Sequence, residues 1–117
     1  MSMSKGFIGA ALLSLAAVVA QAHTHLKSAT PADGSTVQTA PERITLTFSE
    51  PARVTALTIQ KDGEPEQKLA PLPSESAAEV SVPAPKLAPG KYTVSWRVVS
   101  ADSHIMSGKL HFTVAGA

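Results

Sequence analysis

The sequence predicts an all-β protein: a seven-stranded antiparallel β-sandwich with Greek-key connections that follows a signal peptide. Nine prolines and seven glycines in 117 residues favour many turns over long helices. Short runs of alternating apolar and polar residues recur between turn residues, as in half-buried strands. No window after residue 22 sustains helical periodicity. About seven short strands in a chain of this length are typical of an immunoglobulin-like or cupredoxin-like sandwich.

Residues 1–22 have the pattern of a secretory signal peptide. Lys5 provides a positive charge, residues 6–20 are uncharged and largely apolar, and Ala20-Gln21-Ala22 gives a small-x-small cleavage pattern. The apolar run is shorter than the roughly 20 residues of a spanning helix, and no second such run follows. We therefore expect an exported mature domain, residues 23–117, that starts at His23 and does not itself span the membrane.

Four runs alternate strictly and are the clearest strand candidates: residues 43–49, 56–60, 91–99 and 109–114. Pro51 is expected to end the first strand, because proline cannot donate to a sheet ladder. The run 91–99 is the longest, and it places Trp96 on its apolar face. Trp96, the only tryptophan, is therefore expected in the core.

Three weaker strand candidates complete the sandwich: residues 25–28, 67–69 and 78–82. Five prolines lie between residues 65 and 85. Strands in this segment are therefore expected to be short and to lie at a sheet edge.

Composition excludes several classes of function. The chain has no cysteine, which excludes a disulfide framework, zinc-ribbon and iron–sulfur sites, thiol catalysis and a blue-copper thiolate. Its formal net charge is +1 and no lysine or arginine cluster occurs, so we expect no nucleic-acid partner. It also lacks a glycine-rich phosphate loop and a Gly-x-Ser-x-Gly motif, so nothing supports nucleophilic or phosphoryl-transfer catalysis.

Three histidines stand where metal chemistry is possible: His23, His25 and His104. His23 becomes the first residue after cleavage and then offers two nitrogens, its α-amine and its imidazole Nδ1. Copper(II) suits this pair best, because it tops the affinity order of first-row divalent ions and prefers tetragonal nitrogen and oxygen ligands. Asp102 and His104 are two residues apart directly after the predicted 91–99 strand, so their side chains are expected on one side of an extended chain.

His25 leaves two alternatives open. As the third mature residue it completes a square-planar four-nitrogen site for Cu(II) or Ni(II) with the free amine and two backbone nitrogens, provided that the terminus is unstructured. If the segment pairs as a strand, His25 is instead a neighbour that orients a ligand by hydrogen bonding. Glu50 is either a surface turn residue or an acceptor for the N–H of a ligating histidine. His111 is predicted to face solvent, and Met106 alone is thin support for a Cu(I) site.

Several segments together resemble the CopC family of periplasmic copper-binding proteins: residues 23–34, 46–51, 89–92 and 96–104. The resemblance runs in order over essentially the whole mature chain. It implies a seven-stranded Greek-key sandwich that binds one Cu(II) per mature chain through an N-terminal histidine brace. The implied metal ligands are the amine and imidazole of His23, the carboxylate of Asp102 and the imidazole of His104.

The same resemblance implies a role in copper resistance or copper supply, often beside an inner-membrane partner of the CopD type. Some family members add a Cu(I) site in a methionine-rich loop, but residues 61–90 contain neither methionine nor histidine, so we expect no separate Cu(I) site. A second departure is Ile105-Met106, where many relatives have Pro-Val.

Three function classes follow. The first, which we favour, is an exported Cu(II) carrier or buffer that is not an enzyme. The second is a copper-dependent oxygenase, which a small chain with 4% aromatic residues suits poorly. The third is an immunoglobulin-like structural module without metal, in which His23 and His104 are incidental.

Overall fold

All regular structure in the described part of the chain is β. The computed structural model describes residues 25–116, and the predicted all-β class is confirmed. The strands are β1 Leu26–Thr30, β2 Ser35–Val37, β3 Arg43–Lys61, β4 Gln67–Lys68, β5 Ala77–Pro83, β6 Gly90–Ser100 and β7 Ile105–Val114. Over these residues, no helix is long and apolar enough to cross a membrane.

β3 is the longest strand, and it changes partners along its length. Its first half pairs with β1 and β5, and its second half pairs with β6 and β4. Ala52 lies at the change, opposite both Ala77 of β5 and Ser100 of β6. The prediction that Pro51 ends this strand is wrong. The chain stays extended through Pro51, and only the ladder to β5 is interrupted, between Thr47 and Ala52, around a residue that has no N–H to donate.

The partner change curls the sheet into two layers that share β3. One layer continues from the second half of β3 through β6 and β7 to β2. The side chains of both halves enter one core, in which the rings of Phe48 (β3) and Trp96 (β6) meet edge to face at 6.4 Å. Aromatic pairs prefer this geometry because of their ring quadrupoles.

The strand pairs are antiparallel except for one. β2 runs parallel to β7, with Ser35 opposite Phe112, and this three-residue strand was not among the predicted ones. β7 also begins at Ile105, four residues before the predicted start at 109. The segment 105–108 does not alternate cleanly, so its strand conformation comes from pairing with β6 rather than from its own pattern. The proline-rich segment carries β4 and β5, each paired only with β3 among the described strands, as expected for short edge strands.

Trp96 lies in the core as predicted, with 9% of its surface exposed. Its neighbour across the β6–β7 ladder is Gly108. A Cβ atom added at Gly108 would lie 2.5 Å from Cζ2 and 2.9 Å from Cε2 of the indole. Gly108 therefore leaves the space in which the indole packs.

We expect Gly108→Ala to lower the free energy of unfolding by about 1–3 kcal/mol, because the added methyl group overpacks the site of a buried indole. Urea unfolding followed by Trp96 fluorescence measures the change. Ser107→Ala, at the preceding exposed position of β7, is the matched control and should change stability by less than about 0.5 kcal/mol. Equal stability of the Gly108→Ala variant and the wild type would contradict this packing.

Candidate metal centre

The candidate centre is the tight turn that joins β6 to β7. Val99 and Ile105 form the last pair of the ladder, and residues 101–104 form the turn. Two backbone hydrogen bonds close it: the Ser100 N–H donates to the His104 carbonyl at 2.9 Å, and the Ser103 N–H donates to the Ser100 carbonyl at 2.9 Å. Ser103 adopts a φ of 70°, in the left-handed region that non-glycine residues seldom occupy.

This turn brings the side chains of Asp102 and His104 together. Oδ2 of Asp102 is 3.2 Å from Nδ1 of His104. Both side chains face solvent, with about 63% and 60% of their surfaces exposed. Strand alternation predicted that the two side chains lie on one side of an extended chain. In the structure the turn at Ser103 brings them together instead.

Hydrogen bonding lowers the pKa of Asp102 below its ordinary value. The hydroxyl of Ser100 donates to Oδ1 of Asp102 and is the main cause. Desolvation is the second-largest cause and raises the pKa, whereas the nearby His104 and the backbone N–H groups of Asp102 and His104 lower it further. The carboxylate therefore keeps its negative charge well into the acidic range.

His25 and Glu50 lie where β1 meets β3. The His25 N–H donates to Oγ of Ser49 at 3.0 Å, and the Ser49 N–H donates to the His25 carbonyl at 2.8 Å. Glu50 follows Ser49 on β3 and is exposed. Within residues 25–116, no three histidine, aspartate or glutamate side chains gather as a metal site, so neither residue joins the Asp102–His104 pair as a third such group. Their predicted supporting roles stay predictions, and so does the role of His23, which lies outside the described residues.

The remaining candidates, His111 and Met106, lie on β7 beyond the turn. His111 is 66% exposed, as predicted, and its N–H donates to Oδ1 of Asp33 at 2.8 Å. It pairs with Thr93 near the far end of the β6–β7 ladder, six residues along β7 from Ile105. Met106 is half-buried and packs against the core.

Ser100 is the residue at this site that sequence reasoning missed. It is the last residue of β6, and its side chain follows Trp96 and Val98 on the buried face of that strand. A polar residue at a buried position of an alternating strand needs a hydrogen-bond partner nearby. That signal was available in the sequence.

Comparison with known proteins identifies the family. The family model for the CopC domain matches residues 26–115, most of the chain. The chain belongs to the CopC family. Among its CopC relatives, Protein YobA of Escherichia coli is 37% identical over 98 residues, covering 80% of this chain and 79% of that protein. Copper resistance protein C of Pseudomonas syringae pv. tomato is 34% identical over 110 residues, covering 86% of each chain.

Solved CopC-family structures share the fold. CopC from Methylosinus trichosporium OB3b superposes with a TM-score of 0.70 at 28% identity, over 80% of this chain and 95% of that one. PcoC, described as a methionine-rich copper resistance protein from Escherichia coli, superposes with a TM-score of 0.58 at 34% identity, over 80% and 99% of the two chains. These likenesses agree with the β-sandwich seen here.

We expect Ser103→Gly to preserve or raise the free energy of unfolding of this CopC domain, by up to about 1 kcal/mol. The left-handed conformation costs a residue with a Cβ roughly that much, and glycine removes the cost. The same substitution at Ser107, within β7, should instead destabilise by about 0.5–1 kcal/mol, because glycine weakens a strand. Urea unfolding of the two variants measures both changes. An equal loss of unfolding free energy in Ser103→Gly and Ser107→Gly would contradict the left-handed conformation of Ser103.

Proposed function

We propose that the mature chain, residues 23–117, is a periplasmic Cu(II)-binding protein that carries or buffers copper without turnover. One Cu(II) binds per chain, to the amine and imidazole of His23, the carboxylate of Asp102 and the imidazole of His104. The observation that carries the proposal is the juxtaposed Asp102–His104 pair, in a family whose relatives include proteins named copper resistance protein C.

The chemistry of the pair suits Cu(II). An imidazole and an ionised carboxylate are nitrogen and oxygen donors of the kind Cu(II) takes in tetragonal geometry. Nδ1 of His104 and Oδ2 of Asp102 are 3.2 Å apart, a separation that two adjacent donors of one tetragonal site can have. Each carboxylate oxygen has two lone pairs, so Asp102 retains acceptor capacity beside its bonds to Ser100 and His104.

The path of the chain supports a contribution from His23. β1 enters beside Ser49 of β3, and Ala52 of β3 is paired with Ser100, at the start of the turn that holds the pair. The beginning of the described chain and the Asp102–His104 turn therefore belong to the same end of the sandwich. Residue 23 is two residues before His25, and an extended chain covers that interval in about 7 Å.

The backbone of His25 favours this brace over the rival site of residues 23–25. The four-nitrogen design needs the amide nitrogens of residues 24 and 25 to lose their protons and bind the metal. The amide of His25 is instead committed to the hydroxyl of Ser49. Forming the rival site would break that bond and the entry of β1 into the sheet.

Export and partners belong to the same proposal. Cleavage of residues 1–22 creates the free amine of His23, so the signal peptide is part of how the site is made. An inner-membrane protein of the CopD type is the proposed copper-exchange partner. The mature chain contains a single methionine, Met106, and we propose no separate Cu(I) site.

A competition titration tests the proposal. Mature protein that starts at His23 is titrated with Cu(II) against a chelator of known affinity, beside His104→Ala and a form with one extra residue before His23. We expect one tight site in the mature protein and a loss of more than about 100-fold in affinity in both altered forms, since each loses a ligand. His111→Ala is the matched control, because His111 is an equally exposed histidine beside an aspartate. It should bind like the wild type.

The other outcomes are equally informative. Equal tight binding by the wild type and His104→Ala would move the site to residues 23–25 alone. Absence of tight binding in every form would refute the copper proposal and leave a structural module. Oxidation of a polysaccharide by the copper-loaded protein and a reductant would overturn a role without turnover.

We expect Cu(II) affinity to fall by at least about 100-fold between pH 7 and pH 5. Imidazoles and α-amines ordinarily titrate near 6.5 and 8, so protons compete for the nitrogen ligands in this range. The lowered pKa of Asp102 keeps its carboxylate ionised throughout, so the oxygen ligand does not contribute to the loss. The same titration at the two pH values measures the change, and an unchanged affinity would rule out nitrogen ligation.

A further inference from the structure

Ser100 is the polar residue that the fold buries at the candidate centre. Within residues 25–116 it is the only serine, threonine or charged residue that is buried, with 8% of its surface exposed. It ends β6 and pairs with Ala52 of β3, so its backbone belongs to the central ladder of the sandwich. Burying a hydroxyl without a partner costs free energy, and the bonds that Ser100 makes therefore matter.

Every polar group of Ser100 is directed into the Asp102–His104 turn. Its N–H donates to the His104 carbonyl and its carbonyl accepts the Ser103 N–H, both at 2.9 Å. Its Oγ accepts the His104 N–H at 3.3 Å. The hydroxyl proton goes to Oδ1 of Asp102, which is nearer than the His104 carbonyl at 3.3 Å. A hydroxyl has one proton, so the closer acceptor takes it.

These contacts divide into two kinds. The backbone bonds shape the turn and would survive loss of the side chain. Of the Ser100 groups, only Oγ reaches the carboxylate of Asp102, an exposed side chain that the His104 imidazole and the backbone N–H groups of the turn also approach. The hydroxyl of Ser100 is therefore the buried side-chain group that helps to orient the carboxylate toward His104, together with the backbone N–H groups of the turn.

We propose that Ser100 is a positioning residue of the copper site: its buried hydroxyl sets the orientation of the Asp102 carboxylate and tethers the backbone of His104 before metal arrives. This inference rests on the proposed function. Ser100 itself binds no metal in this proposal, but it orients the two ligands Asp102 and His104 toward the metal. Preorganisation of this kind lowers the cost of ordering ligands on binding.

The first test compares Ser100→Ala with Ser95→Ala, the same change at a half-buried position of β6 away from the turn. In the metal-free protein, hydrogen exchange of the His104 amide should accelerate by about 10-fold in Ser100→Ala, because the amide loses one acceptor and the group that orients the other, the Asp102 carboxylate. Amides of the β6–β7 ladder should keep their exchange rates.

Copper binding is the second readout. Ser100→Ala should weaken Cu(II) affinity by about 10–100-fold, the usual effect of a residue that orients a ligand, and should change the electron paramagnetic resonance spectrum of the bound copper. Ser95→Ala should do neither.

A second pair of variants separates the hydroxyl from the packing and keeps the test valid if Ser100→Ala folds poorly. Ser100→Thr and Ser100→Val have nearly the same shape, but only threonine retains the hydroxyl. We expect Ser100→Thr to bind Cu(II) more tightly than Ser100→Val does, with an electron paramagnetic resonance spectrum closer to that of the wild type. Equal affinity and identical spectra in this pair, or wild-type binding by Ser100→Ala, would overturn the role of Ser100 while leaving the copper site intact. Absence of tight binding by the wild type would overturn both proposals together.

Discussion

The sharing of β3 between both layers is the constraint on which the rest of the structure depends. Because its first half pairs with β1 and β5 and its second half with β6 and β4, one continuous strand fixes how the two layers meet. The change of partners occurs around Ser49 to Ala52. Ser49 receives the start of β1, and Ala52 faces the end of β6. The place where the sheet curls therefore lies beside both the start of β1 and the end of β6, from which the Asp102–His104 turn begins.

The core is stabilised by burial of apolar side chains, and the candidate centre is held by hydrogen bonds. The core is built from aliphatic and aromatic side chains of both layers, and Gly108 leaves the room that Trp96 needs. Ser100 stands at the boundary. Ser100 occupies the last position on the buried face of β6, and its hydroxyl donates a hydrogen bond to the carboxylate of Asp102 in the turn. A rigid strand end thus supports a solvent-exposed pair of side chains, which suits a site that exchanges an ion with its surroundings.

The chain differs from one of its relatives in its use of methionine. PcoC is described as methionine-rich, whereas this chain has three methionines, of which Met106 alone lies beyond residue 22. Met106 packs against the core rather than standing free at the turn. The structure therefore offers hard nitrogen and oxygen donors at the Asp102–His104 turn, and soft thioether donors are not gathered there. In the proposed function this difference favours Cu(II) over Cu(I) as the bound ion.

The sequence by itself determined the fold class, most strands, the core position of Trp96 and the candidate pair Asp102 and His104. These follow from local pattern, since alternation and turn residues act over a few neighbours. Only the tertiary structure decided that β3 continues through Pro51, that β7 starts at Ile105 and that β2 joins β7 in parallel, because each of these depends on a partner strand distant in sequence. It also decided what joins Asp102 to His104: a left-handed residue in a turn and a buried hydroxyl, not the alternation of an extended chain. Spacing along the chain reveals which groups are available, but hydrogen bonds made after folding fix where they point.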